Sequence, residues 1–158
     1  MIKLIKSTFY NEKKTKKELI EFIKNADYLS FGQECQTFER NFARYQGKRH
    51  CVMVNSGSSA NLAIIQALLN LEKLKNGDLV AFSALTWSTN VMPLIELGLQ
   101  SVPVDIELNT LNVSSRTLTK VLDRYPIKVV FLTNLLGFCD DIDKIKKIVL
   151  ELFIDHLR

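Results

Sequence analysis

Cys51-Val52-Met53-Val54-Asn55-Ser56-Gly57-Ser58-Ser59-Ala60-Asn61 is the stretch on which the fold turns. Four apolar residues run into a hydroxyl-rich bend around one glycine. A helical apolar pattern follows, with Leu62, Ile65, Leu68 and Leu69. The order reads as a short strand, a tight turn and a helix. The same rhythm continues downstream. Asn76-Gly77-Asp78 marks a turn, and Leu79-Val80-Ala81-Phe82 reads as a strand. A helix over 87–97 follows, in which Pro93 must occupy the first turn or kink the element. Ser101–Val104 is a further strand, 115–124 a helix and Ile127–Leu132 a buried strand. Asp140 or Asp141 then caps a last helix through Ile148. Strands alternating with helices predict a parallel sheet wrapped by helices. The strands are near-continuous apolar runs rather than alternating ones, as burial on both faces requires.

Upstream the pattern is helical. Thr15 and Glu18 have capping-box spacing, and Leu19, Phe22, Ile23 and Ala26 recur at helical intervals. Tyr28–Gly32 interrupts the pattern. A second amphipathic helix carries Cys35, Phe38, Phe42 and Tyr45, and Gly47 is placed to end it. The expected division is a helical N-terminal arm over 1–47 and an α/β domain over 48–158.

Composition sets the outer bounds. The chain has 158 residues, 47% hydrophobic and 24% charged, which suits a globular domain with a real core and not a disordered chain. Its net charge of +4 is concentrated early, at Lys13, Lys14, Lys16 and Lys17. No aromatic residues interleave with these lysines as a nucleic-acid stacking platform requires, so they read as a solvated helix face. The three cysteines, Cys35, Cys51 and Cys139, have no Cys-x-x-Cys spacing. A disulfide scaffold and a zinc site are therefore not expected, and reduced thiols in the cytoplasm are. No apolar run approaches the roughly 20 residues of a membrane span.

In open α/β sheets ligands sit beyond the carboxyl ends of the strands, so the loops after strands carry the functional reading. At Asn55–Asn61 a glycine turn delivers the start of a helix, whose free N–H groups and dipole suit a phosphate. Gly57 and the hydroxyls of Ser58 and Ser59 are the candidates, and plain N-capping of a buried helix is the alternative. The bend lacks the further glycines of a dinucleotide fingerprint and the Gly-Lys of a P-loop, which argues against a nicotinamide-dependent oxidoreductase. The loop Ala84–Asn90 holds the only tryptophan, Trp87, whose flat ring suits stacking on a planar cofactor or simple packing on the core. Asn134, in Thr133–Gly137, could aim an amide into the same crevice.

Taken together and in this order, these segments resemble the nucleotide-sugar aminotransferases of the DegT/DnrJ type, which are fold-type-I pyridoxal phosphate enzymes. The likeness runs through Phe31-Gly32, Phe38–Ala43, Val54–Ala60, Asn76–Asp78, Thr86-Trp87, Gly98-Leu99, Pro103–Ile106, Thr110–Asn112, Leu135–Gly137 and Asp140–Asp143. It implies the mostly parallel sheet of an aspartate-aminotransferase-like large domain, incomplete here, preceded by the helical arm. It implies pyridoxal phosphate as cofactor. Ser58 and Ser59 fall where the family binds the cofactor phosphate, and Trp87 where an aromatic residue stacks on the pyridine ring. Asn134 falls where many members carry histidine, and Gly32 on the substrate side of the cleft. Homodimers and nucleotide-linked keto-sugar substrates with an amino donor, in surface polysaccharide or lipopolysaccharide assembly, are also implied.

Two of the family's parts are not expected in this chain: the Schiff-base lysine and the carboxylate that protonates the pyridine nitrogen. Asp155 arrives too soon after Asp143 to end a further strand. The expectation is therefore the front portion of a longer enzyme, inactive as a transaminase by itself. A pyridoxamine-phosphate-dependent sugar 3-dehydrase, with histidine in place of that lysine, is the alternative within the family. A non-catalytic remnant that binds cofactor or another chain is the alternative outside it.

Overall fold

The computed structural model describes residues 8–155. Internal contacts divide the chain into two compact units that meet at Met53 and Val54.

The N-terminal unit is helical. Helix α1 spans Glu12–Asn25 and buries none of its residues. It starts three residues before Thr15, so the expected capping box does not form: the Thr15 hydroxyl donates to the carbonyl of Tyr10 at 2.5 Å. Helix α2 spans Gln33–Tyr45. Its Phe38 and Phe42, four residues apart, stack with ring centroids 5.6 Å apart, as the helical stripe predicts. The helix ends in a Schellman closure, with Lys48 N–H on the carbonyl of Ala43 (2.8 Å) and Gly47 N–H on that of Arg44 (3.1 Å). Gly47 takes φ +63 there, a conformation costly for any residue with a Cβ.

Cys51–Val54 is not a strand. The Met53 N–H, which a sheet neighbour would need, donates instead to the Glu39 carboxylate at 2.7 Å, and Val52 is 79% exposed. The apolar run has the composition of a strand and pairs with no strand among the described residues.

The second unit is the α/β body. Helix α3 (Gly57–Asn70) precedes β1 (Leu79–Ser83), α4 (Ser88–Glu96), β2 (Gln100–Val104), α5 (Ser115–Leu122), β3 (Ile127–Phe131), a 3-10 turn at Leu135–Gly137 and α6 (Ile142–Asp155). The strands form one parallel sheet in the order β2-β1-β3. The expected class of parallel sheet with flanking helices is what the body shows. Its last helix continues seven residues past Ile148 to Asp155, so Asp155 closes a helix and not a strand.

Both faces of the sheet are covered. Val80 joins Ile65 of α3, Leu74, Leu94 of α4 and Leu99 in one buried cluster, with Phe82, Val129 and Phe131 against it. Ala81 joins Val104, Val113, Leu118 of α5 and Ile145 of α6 in the other, with Ile127 and Val130 against it. In β1 the neighbours Val80 and Ala81 thus point to opposite cores, as the pleat dictates. In β3 the register slips between Ile127 and Val129, leaving Lys128 out of the pairing. That extra residue keeps Ile127 in one core and Val129 in the other. A second unpredicted detail concerns Pro93, the sixth residue of α4 and buried there. It lies beyond the first turn and has no N–H for the carbonyl of Thr89 four residues earlier.

Helix α5 is fixed at its start by a full capping box between Ser114 and Thr117. Arg116 holds Glu107 through paired contacts of 3.0 and 2.6 Å. Asp141, before α6, accepts the N–H and hydroxyl of Ser115 at 2.7 and 2.6 Å, locking α6 to the start of α5. No helix among the described residues is long and apolar enough to cross a membrane.

Candidate functional site

The strand order makes a crevice. The chain leaves β1 for β2 on one side and returns to β3 on the other. The loop after β1 feeds α4, which packs on the Val80 core, and the loop after β3 feeds α6, which packs on the Ala81 core. Two loops that diverge to opposite faces from adjacent strands open a cleft at the carboxyl edge, where ligands of such sheets sit.

At this edge α3 presents its first turn. The Ser56 hydroxyl caps it, accepting from Ser59 N–H at 3.2 Å. The Ser59 hydroxyl donates to the Asn55 side chain at 2.6 Å, so Ser59 is engaged in building the bend. The amides of Gly57 and Ser58 and the exposed Ser58 hydroxyl remain for a ligand. No acidic residue stands in this turn, and a Cβ at Gly57 would meet nothing within 4 Å. Free N–H groups, a positive helix end and open space fit a phosphate.

Trp87 sits immediately before α4 and is 74% exposed. The reading of Trp87 as a core residue is thereby overturned: most of its ring is open to contact. Asn134 follows β3 at the start of the 3-10 turn and is exposed. The next residues hold left-handed backbone, with φ 54 at Leu136 and φ 82 at Gly137. The buried Asn112 anchors this loop by accepting the Leu135 N–H at 2.9 Å. Gly32 lies in the N-terminal unit, at the start of α2, in extended backbone with φ −135.

A polar network that sequence reading missed ties these segments together. Asn61 of α3 donates through Nδ2 to Asn90 Oδ1 at 2.6 Å. It also faces the carbonyl of Thr89 at 3.5 Å, the one that Pro93 leaves without a helical donor. Asn90 Nδ2 donates to the hydroxyls of Thr86 (2.7 Å) and Thr133 (2.9 Å), which are themselves 2.7 Å apart. The Thr133 N–H reaches the buried Ser83 hydroxyl at 3.0 Å. Asn61 lies two residues past Ser59, and Asn90 three past Trp87. The hydroxyl-rich bend and the indole are therefore brought to the same mouth of the sheet.

The apolar groove of about 210 Å³ lined by Leu122, Tyr125, Ile127, Val130, Val149 and Leu152 is elsewhere, at the amino end of β3. Pro126 and Lys128 complete its lining, and none of the loops after β1 or β3 contributes to it. Among the described residues no cluster of His, Cys, Asp or Glu has the makings of a metal site.

Comparison with known proteins bears on the fold. The sequence model of the DegT/DnrJ/EryC1/StrS aminotransferase family matches residues 10–153. The chain is 36% identical over 132 residues to a GDP-4-keto-6-deoxy-D-mannose 3-dehydratase of Escherichia coli, covering 82% of this chain and 34% of the relative. It is 30% identical over 125 residues to the lipopolysaccharide biosynthesis protein RfbH of Salmonella typhimurium, covering 77% of this chain and 28% of that protein. Among solved structures, a GDP-4-keto-6-deoxymannose-3-dehydratase with a trapped pyridoxal phosphate–glutamate geminal diamine superposes with a TM-score of 0.77 at 33% identity, over 93% of this chain and 38% of that one. The chain thus spans about a third of the length of these relatives.

Proposed function

We propose, on the premise that this chain belongs to the DegT/DnrJ/EryC1/StrS aminotransferase family, that it forms the phosphate and ring-face side of a pyridoxal phosphate site serving a nucleotide-linked keto sugar. The observation that carries the reading is the convergence of the open α3 start and the exposed indole on one sheet edge. Gly57 and Ser58 would bind the phosphate through backbone N–H groups and one hydroxyl. Ser59 and Ser56 hold the bend in shape. Trp87 would cover one face of the ring, and Asn134 offers an amide from the far side of the cleft. Bound there, the cofactor supplies an electron sink, while the protein supplies orientation and electrostatics.

Removal of the sugar 3-hydroxyl is the favoured reaction of the whole enzyme, because the likeness to a 3-dehydratase extends over 82% of this chain. Amino transfer to the keto sugar is the second reading, favoured by the family's own description. Both reactions use the same cofactor-binding side. A place in lipopolysaccharide assembly follows the likeness to RfbH. Cofactor binding without turnover is the activity proposed for this chain.

Titration with pyridoxamine 5′-phosphate, which has no aldehyde to react with surface lysines, tests the assignment. Saturable one-to-one binding that quenches the single tryptophan is expected, and its absence removes the reading. Mass spectrometry of a mixture with a GDP-linked 4-keto-6-deoxy sugar and glutamate should show neither a deoxygenated nor an aminated sugar. Either product would overturn the restriction to binding.

A further inference from the structure

The network holds one hydroxyl proton that finds no acceptor among the described residues. A backbone carbonyl only accepts, so the Thr89 carbonyl facing the Asn61 side chain fixes that amide with its nitrogen inward. The same nitrogen meets Asn90, which must therefore present its oxygen to Asn61. Asn90 is left with its nitrogen toward the threonines, and both its hydrogens go to Thr86 and Thr133. Both threonine oxygens are thus acceptors toward Asn90. The two hydroxyls own two protons, and only one is consumed in the 2.7 Å bond between them. The other has no acceptor among the described residues.

Its position is informative. Thr86 lies three residues past the end of β1 and Thr133 two past the end of β3, so the pair bridges the two strands at the mouth of the crevice. Both residues are half-buried, as are Asn61 and Asn90. A surface hydroxyl is normally free to turn its proton to any neighbour. Here a chain of oriented amides from α3 through α4 removes that choice.

We propose that the Thr86–Thr133 pair is a one-proton donor site for an acceptor oxygen of the bound ligand, with Asn61 and Asn90 as its positioning residues. The proposal rests on the cofactor reading above. The acceptor is a phosphate oxygen or the ring hydroxyl oxygen of a phosphorylated pyridine. Inorganic phosphate and unphosphorylated pyridoxamine separate these two sources.

The test is calorimetric titration of the full chain with pyridoxamine 5′-phosphate, comparing Thr86→Ser/Thr133→Ser with Thr86→Val/Thr133→Val. The serine pair keeps both hydroxyls and should bind within about twofold of the unchanged protein. The valine pair keeps the shape and should bind about tenfold more weakly, the loss of one hydrogen bond to an ionised or polar oxygen. A matching loss with inorganic phosphate assigns the acceptor to the phosphate. A matching loss with pyridoxamine assigns it to the ring. If the valine pair does not fold, Asn90→Asp replaces it: a carboxylate there accepts from both threonines, consumes the spare proton and should weaken binding at least as much. Equal affinity of the folded valine or aspartate variant and the unchanged protein overturns the proposal. Failure of the unchanged protein to bind at all overturns the cofactor reading instead.

Discussion

Replacing Trp87 with alanine separates binding from stability at one residue. Trp87 is 74% exposed, so about a quarter of it is covered by protein. A tryptophan buries at most about 250 Å², which leaves about 60 Å² at stake. At about 25 cal/mol per Å² that is about 1.5 kcal/mol as an upper bound. Urea unfolding followed by far-ultraviolet circular dichroism should therefore show a loss no larger than this. The ring's contribution to a stacked cofactor is of similar size, about 0.5–1.5 kcal/mol beyond area, or about two- to tenfold in the affinity for pyridoxamine 5′-phosphate. Calorimetry measures it without relying on the lost fluorophore. Trp87→Phe should recover most of the affinity, since a flat ring is retained. Unchanged affinity in a stable Trp87→Ala protein would refute the stacking role. A stability loss well above the bound would show the indole to be a packing residue.

Four further outcomes are expected. Leu94→Ala, at a fully buried site enclosed by Ile65, Leu74, Val80 and Leu99, should cost about 3 kcal/mol in urea unfolding, because helices on a sheet collapse poorly around a cavity. Gly98→Ala should destabilise by about 1–2 kcal/mol, since Gly98 has φ +76 and a Cβ would lie 2.3 Å from the Asn76 amide nitrogen; a second change, Asn76→Ala, should restore the steric part and not the backbone part. Asp141 is held below the ordinary value of 3.8, first by the Ser115 hydroxyl and then by its N–H. The folded state therefore binds fewer protons than the unfolded one between the two values, and the stability this group adds is full above 3.8 and fades as pH falls through its lowered value; Asp141→Asn should flatten that acid limb in thermal melts taken at stepped pH. Ser114→Ala, which removes the α5 cap, should cost about 1 kcal/mol by urea titration.

Strands β1, β2 and β3 were legible because burial on both faces favours near-continuous apolar runs, and only a few residues in each are needed to see one. Cys51–Val54 satisfies the same criterion and is no strand, since pairing is decided by what lies alongside and Glu39 takes the Met53 amide first. The start of α1 escaped for a related reason: a capping pair such as Thr15 and Glu18 is a local option, and the backbone of Tyr10 offered another partner. At the candidate site the bend and the indole were visible because each sits directly after an apolar run. The network that joins them was not. Its long-range bonds join residues 28 to 50 apart, and asparagine or threonine near a helix start reads as surface. A usable signal existed in the shared placement of Asn61 and Asn90, each early in a helix, with a proline four residues past Thr89 freeing a carbonyl between them.

The slip in β3 has a consequence for how the sheet meets other chains. Lys128 is the residue left out of register, on a strand whose outer side has no partner among the described residues. An ammonium group at that border must shed its water before any extended peptide can zip alongside. The border therefore repels stray strands while leaving both hydrophobic cores intact, and only a newcomer carrying its own counter-charge at that height would dock without penalty.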